Sequence, residues 1–194
     1  MRIISGANKG KKLFQPDSKF TRPLRDMVKE SLFNLLNHSN KFEIDIKNSN
    51  VLDLFAGSGS FGLECISRGA SNVYFFEKEE NILKILKKNI DLITNKNNHK
   101  IFALDVFKFF KSKKIIDKKF DIIFIDPPFK ELKIIELILD IKKKEIIQKE
   151  GIIIIHRPKK DTLEMNKNFH ILEERNYGVS RIFFVSFFIN STAG

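Results

Sequence analysis

Two short stretches hold residue types whose spacing could do chemistry. The first runs from Phe120 to Phe129 and reads FDIIFIDPPF. Its apolar run ends on Asp126, then come Pro127, Pro128 and Phe129. Proline removes a ladder donor and fixes φ, so two in a row stop a strand abruptly. An ionised carboxylate only accepts hydrogen bonds, and prolines offer only carbonyls. The product is a stiff cluster of acceptors followed by an aromatic face. That suits an amino group on a flat ring: Asp126 and the Pro127 carbonyl take its two N–H bonds, and Phe129 stacks on the ring. Read without such a ligand, the stretch is a strand terminator with a buried Phe.

The second stretch is VLDLFAGSGSFGLE, in which residues 57–62 read Gly-Ser-Gly-Ser-Phe-Gly. This is G-x-G-x-x-G, placed after a strand and opening a helix. In that setting Gly57 makes the tight turn, Gly59 lets the backbone approach a ligand, and Gly62 lets the helix pack on the strand. Glu77 ends the next strand, 18 residues after Gly59, where a carboxylate can accept from ribose hydroxyls. Asp105 ends the strand after that. A dinucleotide would bring a pyrophosphate to the helix N-terminus. Here, however, the preceding strand ends on an acid, Asp53, beside the turn. Negative charge there favours a ligand with a cationic part, such as the amine or sulfonium of S-adenosylmethionine.

These groups need elements to carry them to one place. Strands are expected over 50–54, 72–77, 100–105, 120–126 and 151–156, and helices over 60–68, 79–94, 106–113 and 131–148. Near-continuous apolar strands alternating with helices indicate an α/β fold with a parallel sheet covered on both faces. In an open sheet of this kind, ligands bind beyond the strand C-terminal ends, where all the groups above lie. FHILEER, NYG and VSRIFFVSFF predict an antiparallel hairpin at the C-terminal end of the sheet. RIISGANKGKKLF (2–14) predicts two short strands around a turn at Ala7–Gly10, followed by a basic loop, Gln15 to Pro23. A helix follows in RDMVKESLFNLLNHS, with Met27, Val28, Leu32, Phe33, Leu35 and Leu36 as its apolar stripe. Residues 38–50 read as a linker or surface excursion.

The bulk numbers bound the function. A chain of 194 residues fits one domain with a small appendage. No apolar run approaches membrane-helix length, and the apolar part of MRIISGANKGKK is too short for a signal peptide, so a cytoplasmic protein is expected. Cys65 reads as a small core hydrophobe. No Cys, His and carboxylate cluster suggests a metal. Net charge is +11, an excess of cations that codon bias alone does not explain and that favours a polyanionic partner.

Taken together, these residues resemble a known family. VLDLFAGSGSFGLE with Glu77 looks like the cofactor core of Rossmann-like class I S-adenosylmethionine-dependent methyltransferases, and DPPF looks like the (Asp/Asn)-Pro-Pro-(Tyr/Phe) motif of amino-methylating enzymes. MRIISGANKGKKL, TRPLRDMVKESLFNLL (Thr21 to Leu36), SRGASNVYFFEKE and the closing NYG are similar to the bacterial 16S rRNA (guanine-N2)-methyltransferase family. The resemblance implies a mainly parallel seven-stranded sheet, with residues 1–40 as an RNA- and cofactor-facing extension and 41–194 as the catalytic domain. It implies that Asp53, Phe55, Ala56, Gly57, Ser58, Gly59 and Gly62 shape the cofactor loop, with Glu77 and Lys78 at the ribose. Asp105 and Val106 would lie by the adenine, and Thr21, Arg22 and Pro23 would approach the methionine end or the target base. Asp126, Pro127, Pro128 and Phe129 would hold a guanine, as the catalytic set. RNA would be gripped by Arg2, Lys9, Lys11, Lys12, Lys19, Arg22 and Arg25. The implied substrate is 16S rRNA or a small-subunit assembly intermediate, met by a monomer without metal or membrane. His156-Arg157 departs from the family pattern, where an acid is expected; the pair reads as a solvated strand end.

Rivals remain at this point. A DNA adenine-N6 methyltransferase shares both motifs but commonly adds a target-recognition domain. A protein glutamine methyltransferase typically carries Asn at the Asp126 position. A nicotinamide oxidoreductase leaves DPPF unexplained, and a non-catalytic RNA-binding protein leaves both motifs unexplained.

Overall fold

The structure is a computed structural model that describes residues 1–16, 26–41, 44–114, 116–161 and 169–188. Helix α1 (Asp26–His38) precedes an alternating series: β1 (Asn50–Asp53), α2 (Ser60–Ser67), β2 (Asn72–Phe76), α3 (Glu80–Ile93), β3 (His99–Phe102), α4 (Val106–Lys111), β4 (Phe120–Ile125), α5 (Ile134–Lys143) and β5 (Ile147–Pro158). The hairpin β6 (His170–Tyr177) and β7 (Ser180–Ser186) closes the series. The seven strands lie in the order β3-β2-β1-β4-β5-β7-β6. Pairings among β1 to β5 are parallel, while β7 pairs antiparallel with both β5 and β6. The expected mixed sheet with its antiparallel C-terminal hairpin is therefore present.

Alternate residues of each central strand face opposite layers. Val51, Phe75, Ile122, Phe124, Ile152 and Ile154 face the layer of α1, α2 and α3. Leu52, Phe76, Ile123, Ile125, Ile153 and Ile155 face that of α4 and α5. Burial on both faces is why these strands read as unbroken apolar runs. Cys65 is fully buried on α2, as a core residue.

Three local expectations change. The helix expected over 131–148 is shorter, and residues 147–148 belong to β5. Glu145 takes φ 51°, a left-handed conformation that ends the helix, so Ile147 can pair with Phe120. Met27 is 72% exposed, outside the apolar stripe of α1; Lys29 is buried there instead. Residues 2–14 close through a single antiparallel bridge, Arg2 to Lys12, rather than two strands. Several other amides bond to α2 instead: Ile4 N and Ser5 N donate to the two Glu64 carboxylate oxygens (2.8 and 2.9 Å), and Asn8 N to Ser67 Oγ (2.9 Å).

Glu64, on α2, is the anchor of this corner. It pairs with Lys29 Nζ at 3.6 Å and with Arg68 Nε at 2.9 Å, and the Lys29 and Glu64 side chains have no exposed surface. Lys29 also donates to the Arg2 carbonyl at 2.6 Å. Burial pulls the Lys29 ammonium below its ordinary pKa, against the opposing pull of Glu64. The N-terminal segment is thus pinned to the helix that the glycine loop opens.

Candidate active site

The chain leaves β1 to build β2 and β3 on one side, then returns to build β4 on the other. The reversal leaves a crevice beyond the C-terminal ends of β1 and β4, where open α/β sheets bind ligands. The two sequence motifs flank it. Asp53 pairs in register with Phe124, so the strands deliver the glycine loop and Asp126 side by side.

On the β1 side the loop is built from backbone. Gly57 and Gly59 have φ of 55° and 89°, conformations that side-chain-bearing residues rarely adopt. A Cβ on Gly57 would meet nothing within 4 Å among the described residues, which leave that side of the loop open. A Cβ on Gly59 would lie 2.7 Å from a Leu86 methyl, so Gly59 is set by conformation and packing as much as by ligand approach. A Cβ on Gly62 would lie 2.3 Å from the Phe75 ring, which makes Gly62 the clearance for α2 against β2. Carboxylates collect the loop amides. Glu77 accepts from Gly57 N at 2.9 Å, Lys78 N at 2.8 Å and Glu79 N at 2.9 Å. Asp53 accepts from Gly62 N at 3.1 Å. From α3, Asn89 donates to the Ser58 and Phe14 carbonyls (2.8 and 3.0 Å) and accepts from Phe14 N (2.8 Å).

Asp53 is 1% exposed, and its Oδ1 has no partner among the described residues. Burial pushes its carboxyl up to about 8, with Gly62 N pulling the other way and Asp126 and Glu77 adding to the rise. Burial thus opposes the standing negative charge expected at Asp53 and favours its protonated form over an ordinary carboxyl's. Its unpartnered oxygen suits a donor or a cation. Asp105 caps α4, accepting from Lys108 N at 3.1 Å, and pairs with Lys78 Nζ at 3.3 Å. Desolvation raises its carboxyl, but the Lys108 amide and Lys78 outweigh it, and the net position is below the ordinary value. Val106 is buried in the α4 layer, and the Phe55 and Phe107 rings lie 6.0 Å apart nearby. Open space at Gly57, lone pairs on Glu77 and the orphaned Asp53 oxygen together fit a cofactor with hydroxyls and a cationic centre.

The β4 side is built from side chains. Asp126 is partly exposed, Pro127 buried, and Phe129 36% exposed. Glu131 N takes the Pro128 carbonyl at 2.9 Å, whereas the Pro127 carbonyl accepts no hydrogen bond among the described residues. His156 and Arg157 are 5% and 2% exposed, so the reading of a solvated strand end is overturned. Parallel pairing of Ile125 with Ile155 sets Asp126 beside His156. His156 Nδ1 lies 2.8 Å from Asp126 Oδ1. Arg157 Nη2 donates to the Phe129 and Glu131 carbonyls at 3.4 and 2.8 Å, and its Nε binds Asp161.

Of the basic front, Arg2 faces Asp26 at 3.8 Å, Lys9 and Lys12 are exposed, and Lys11 Nζ caps the end of α3 on the Leu92 carbonyl at 3.0 Å. Lys19, Thr21, Arg22, Pro23 and Arg25 lie outside the described residues. Sequence reasoning missed Lys29, Glu64, Asn89 and the His156–Asp126 contact. For Lys29 and Asn89 a signal exists: each is a polar residue at helical spacing within an apolar stripe, Lys29 with Leu32, Phe33 and Leu36, Asn89 with Leu86, Ile90 and Ile93.

An open doubly wound sheet with a glycine loop, a paired acid and DPPF across its switch point defines a class I methyltransferase. Comparison with known proteins agrees. The family model described as "Conserved hypothetical protein 95" matches residues 1–186, and the chain belongs to that family. Ribosomal RNA small subunit methyltransferase D of Buchnera aphidicola subsp. Acyrthosiphon pisum is 36% identical over 173 residues, covering 89% of this chain and 86% of that one. The protein of the same name from Haemophilus influenzae is 32% identical over 180 residues, 92% of this chain and 90% of that one. Among solved structures, "Putative methyltransferase yhhF from Escherichia coli" superposes with a TM-score of 0.82 at 28% identity, covering 98% of this chain and 99% of that one.

Proposed function

We propose that the protein methylates the exocyclic N2 amine of a guanine in 16S rRNA, acting in the cytoplasm as a monomer on free rRNA or an assembly intermediate. The observation that carries this reading is the placement of Asp126 and Phe129 across the switch point from the glycine loop, in a family whose members include small-subunit rRNA methyltransferases. S-adenosylmethionine is the methyl donor: the amine nitrogen bonds to its methyl carbon as the carbon–sulfur bond breaks and the sulfur keeps the electron pair.

The chain's own residues prepare that step. With the cofactor bound, Glu77 would hold its ribose hydroxyls, Asp105 and Val106 would border the adenine, and Asp53 would face the cationic end. The guanine amine is a poor nucleophile because its lone pair delocalises into the ring. Asp126 and the Pro127 carbonyl draw on its two hydrogens and favour a more tetrahedral nitrogen, while Phe129 holds the ring flat. The extra proton leaves to water or to Asp126. The target base leaves its stack to reach the pocket.

Tritiated methyl transfer from S-adenosylmethionine to 16S rRNA, assembled small subunits, DNA and protein, run in parallel, tests the reading. Label in N2-methylguanine of 16S rRNA is expected. Label in DNA adenine or in protein, with none in rRNA, overturns it.

A further inference from the structure

We propose that His156 is a positioning residue that sets the base pocket by holding Asp126 and Phe129 in one arrangement. The proposal rests on the reading that the DPPF stretch accepts an amine on a flat ring.

The imidazole stands at a junction. Its Nδ1 lies 2.8 Å from Asp126 Oδ1, and its ring meets the Phe129 ring edge-on at 6.1 Å between centroids and 74° between planes. One buried side chain thus touches both the acceptor and the stacking face. The contact also fixes a tautomer. With Asp126 ionised, Nδ1 must carry the proton. His156 Nε2 is buried and has no partner among the described residues.

The consequence falls on Asp126. A carboxyl group turns broadly about its last torsion, so alone it would present either oxygen at many angles. Donation to Oδ1 stops that rotation and leaves Oδ2 for the incoming amine. The ring plane of the base is set by Phe129 and its edge by Oδ2, so both depend on the same imidazole. Arg157, one residue on, fixes the backbone that follows, through the Phe129 and Glu131 carbonyls.

The test uses the full-length protein and 16S rRNA with His156→Leu, which removes the donor, and His156→Asn, whose side-chain amide reaches about where Nδ1 stood. His156→Leu is expected to lower kcat on the order of 100-fold, as a misplacement of about 1 Å does. S-adenosylmethionine affinity should stay within about two-fold, and His156→Asn should restore most of the turnover. In an Asp126→Asn background, His156→Leu should cost little more, because the partner it positions is gone. If the leucine variant does not fold, His156→Gln, whose amide lies one bond too far out, replaces it with the same expectation. Wild-type kcat in His156→Leu, equal losses in the Leu and Asn variants, or a loss confined to cofactor affinity would each overturn the proposal. If Asp126→Asn loses turnover and His156→Leu does not, positioning alone fails. If Asp126→Asn keeps full turnover, the amine-accepting reading fails and takes the positioning role with it.

Discussion

The two halves of the site are held in different ways. Beside β1 and β2, backbone amides converge on carboxylates: Gly57, Lys78 and Glu79 on Glu77, and Gly62 on Asp53, across at most 20 residues of chain. Beside β4, side chains from the neighbouring strand do the holding, with His156 on Asp126 30 residues away and Arg157 on Glu131 26 residues away. A backbone-built half has little freedom to vary its shape, which suits a cofactor that does not change. A half built from side chains can be retuned by one substitution on β5, which suits selection of the base.

If that division holds, damage to the β4 half should appear in turnover and damage to the β1 half in cofactor affinity. The largest effect is expected for Asp126→Ala: kcat falls on the order of 100- to 1,000-fold, comparable to removing one preorganised catalytic hydrogen bond, with cofactor Kd unchanged. Single-turnover kinetics beside a cofactor titration would show it, and equal losses in both quantities would erase the distinction. Next is Glu77→Gln, expected to weaken cofactor binding by about 10- to 100-fold, the scale of hydrogen bonds to a charged acceptor, with little change in kcat at saturation.

Asp53 gives the third prediction, with its sign set by burial. Its carboxyl is raised from the ordinary 3.8 to about 8. The stability this lends the folded state is fully present below pH 3.8 and is lost as pH rises through about 8. Asp53→Asn should therefore flatten the decline of apo-protein stability across that window, as followed by chemical denaturation. A cationic ligand favours the ionised form, so cofactor binding should release a proton near neutral pH and tighten towards pH 8. Calorimetry in buffers of different ionisation heat would detect the proton, and its survival in Asp53→Asn would refute the assignment. The smallest effect concerns neither half. Exposed Lys9 or Lys12 changed to Ala should lower the salt slope of RNA affinity by about one phosphate contact each, leaving cofactor affinity alone.

The same division explains what the sequence disclosed. Gly57, Gly59, Gly62 and Glu77 belong to a local motif, and the central strands are rich in apolar residues, so the parallel sheet and the position of the glycine loop were legible from spacing. The β4 motif was legible as chemistry but not as architecture. That Asp126 meets His156 depends on the Ile125–Ile155 register, which two apolar runs cannot specify on their own. A His-Arg pair after GIIII looks solvent-facing until the length of β5 and the course of the loop after Pro128 are known. Lys29 was hidden by its charge: a lysine in an apolar stripe reads as a surface residue unless its partner, Glu64, is seen on the helix it faces.

Asn89 has a consequence in time. Its amide is fully committed, to Phe14 through one donor and its acceptor and to Ser58 through the other donor. The glycine loop and the segment at Phe14 are therefore tied to one helix, and neither can swing aside without breaking the tie. On the proposed reading, a cofactor arriving at this crevice would meet a glycine loop already held in place. Its arrival is set by diffusion and orientation, and how long it stays is set by how often it escapes.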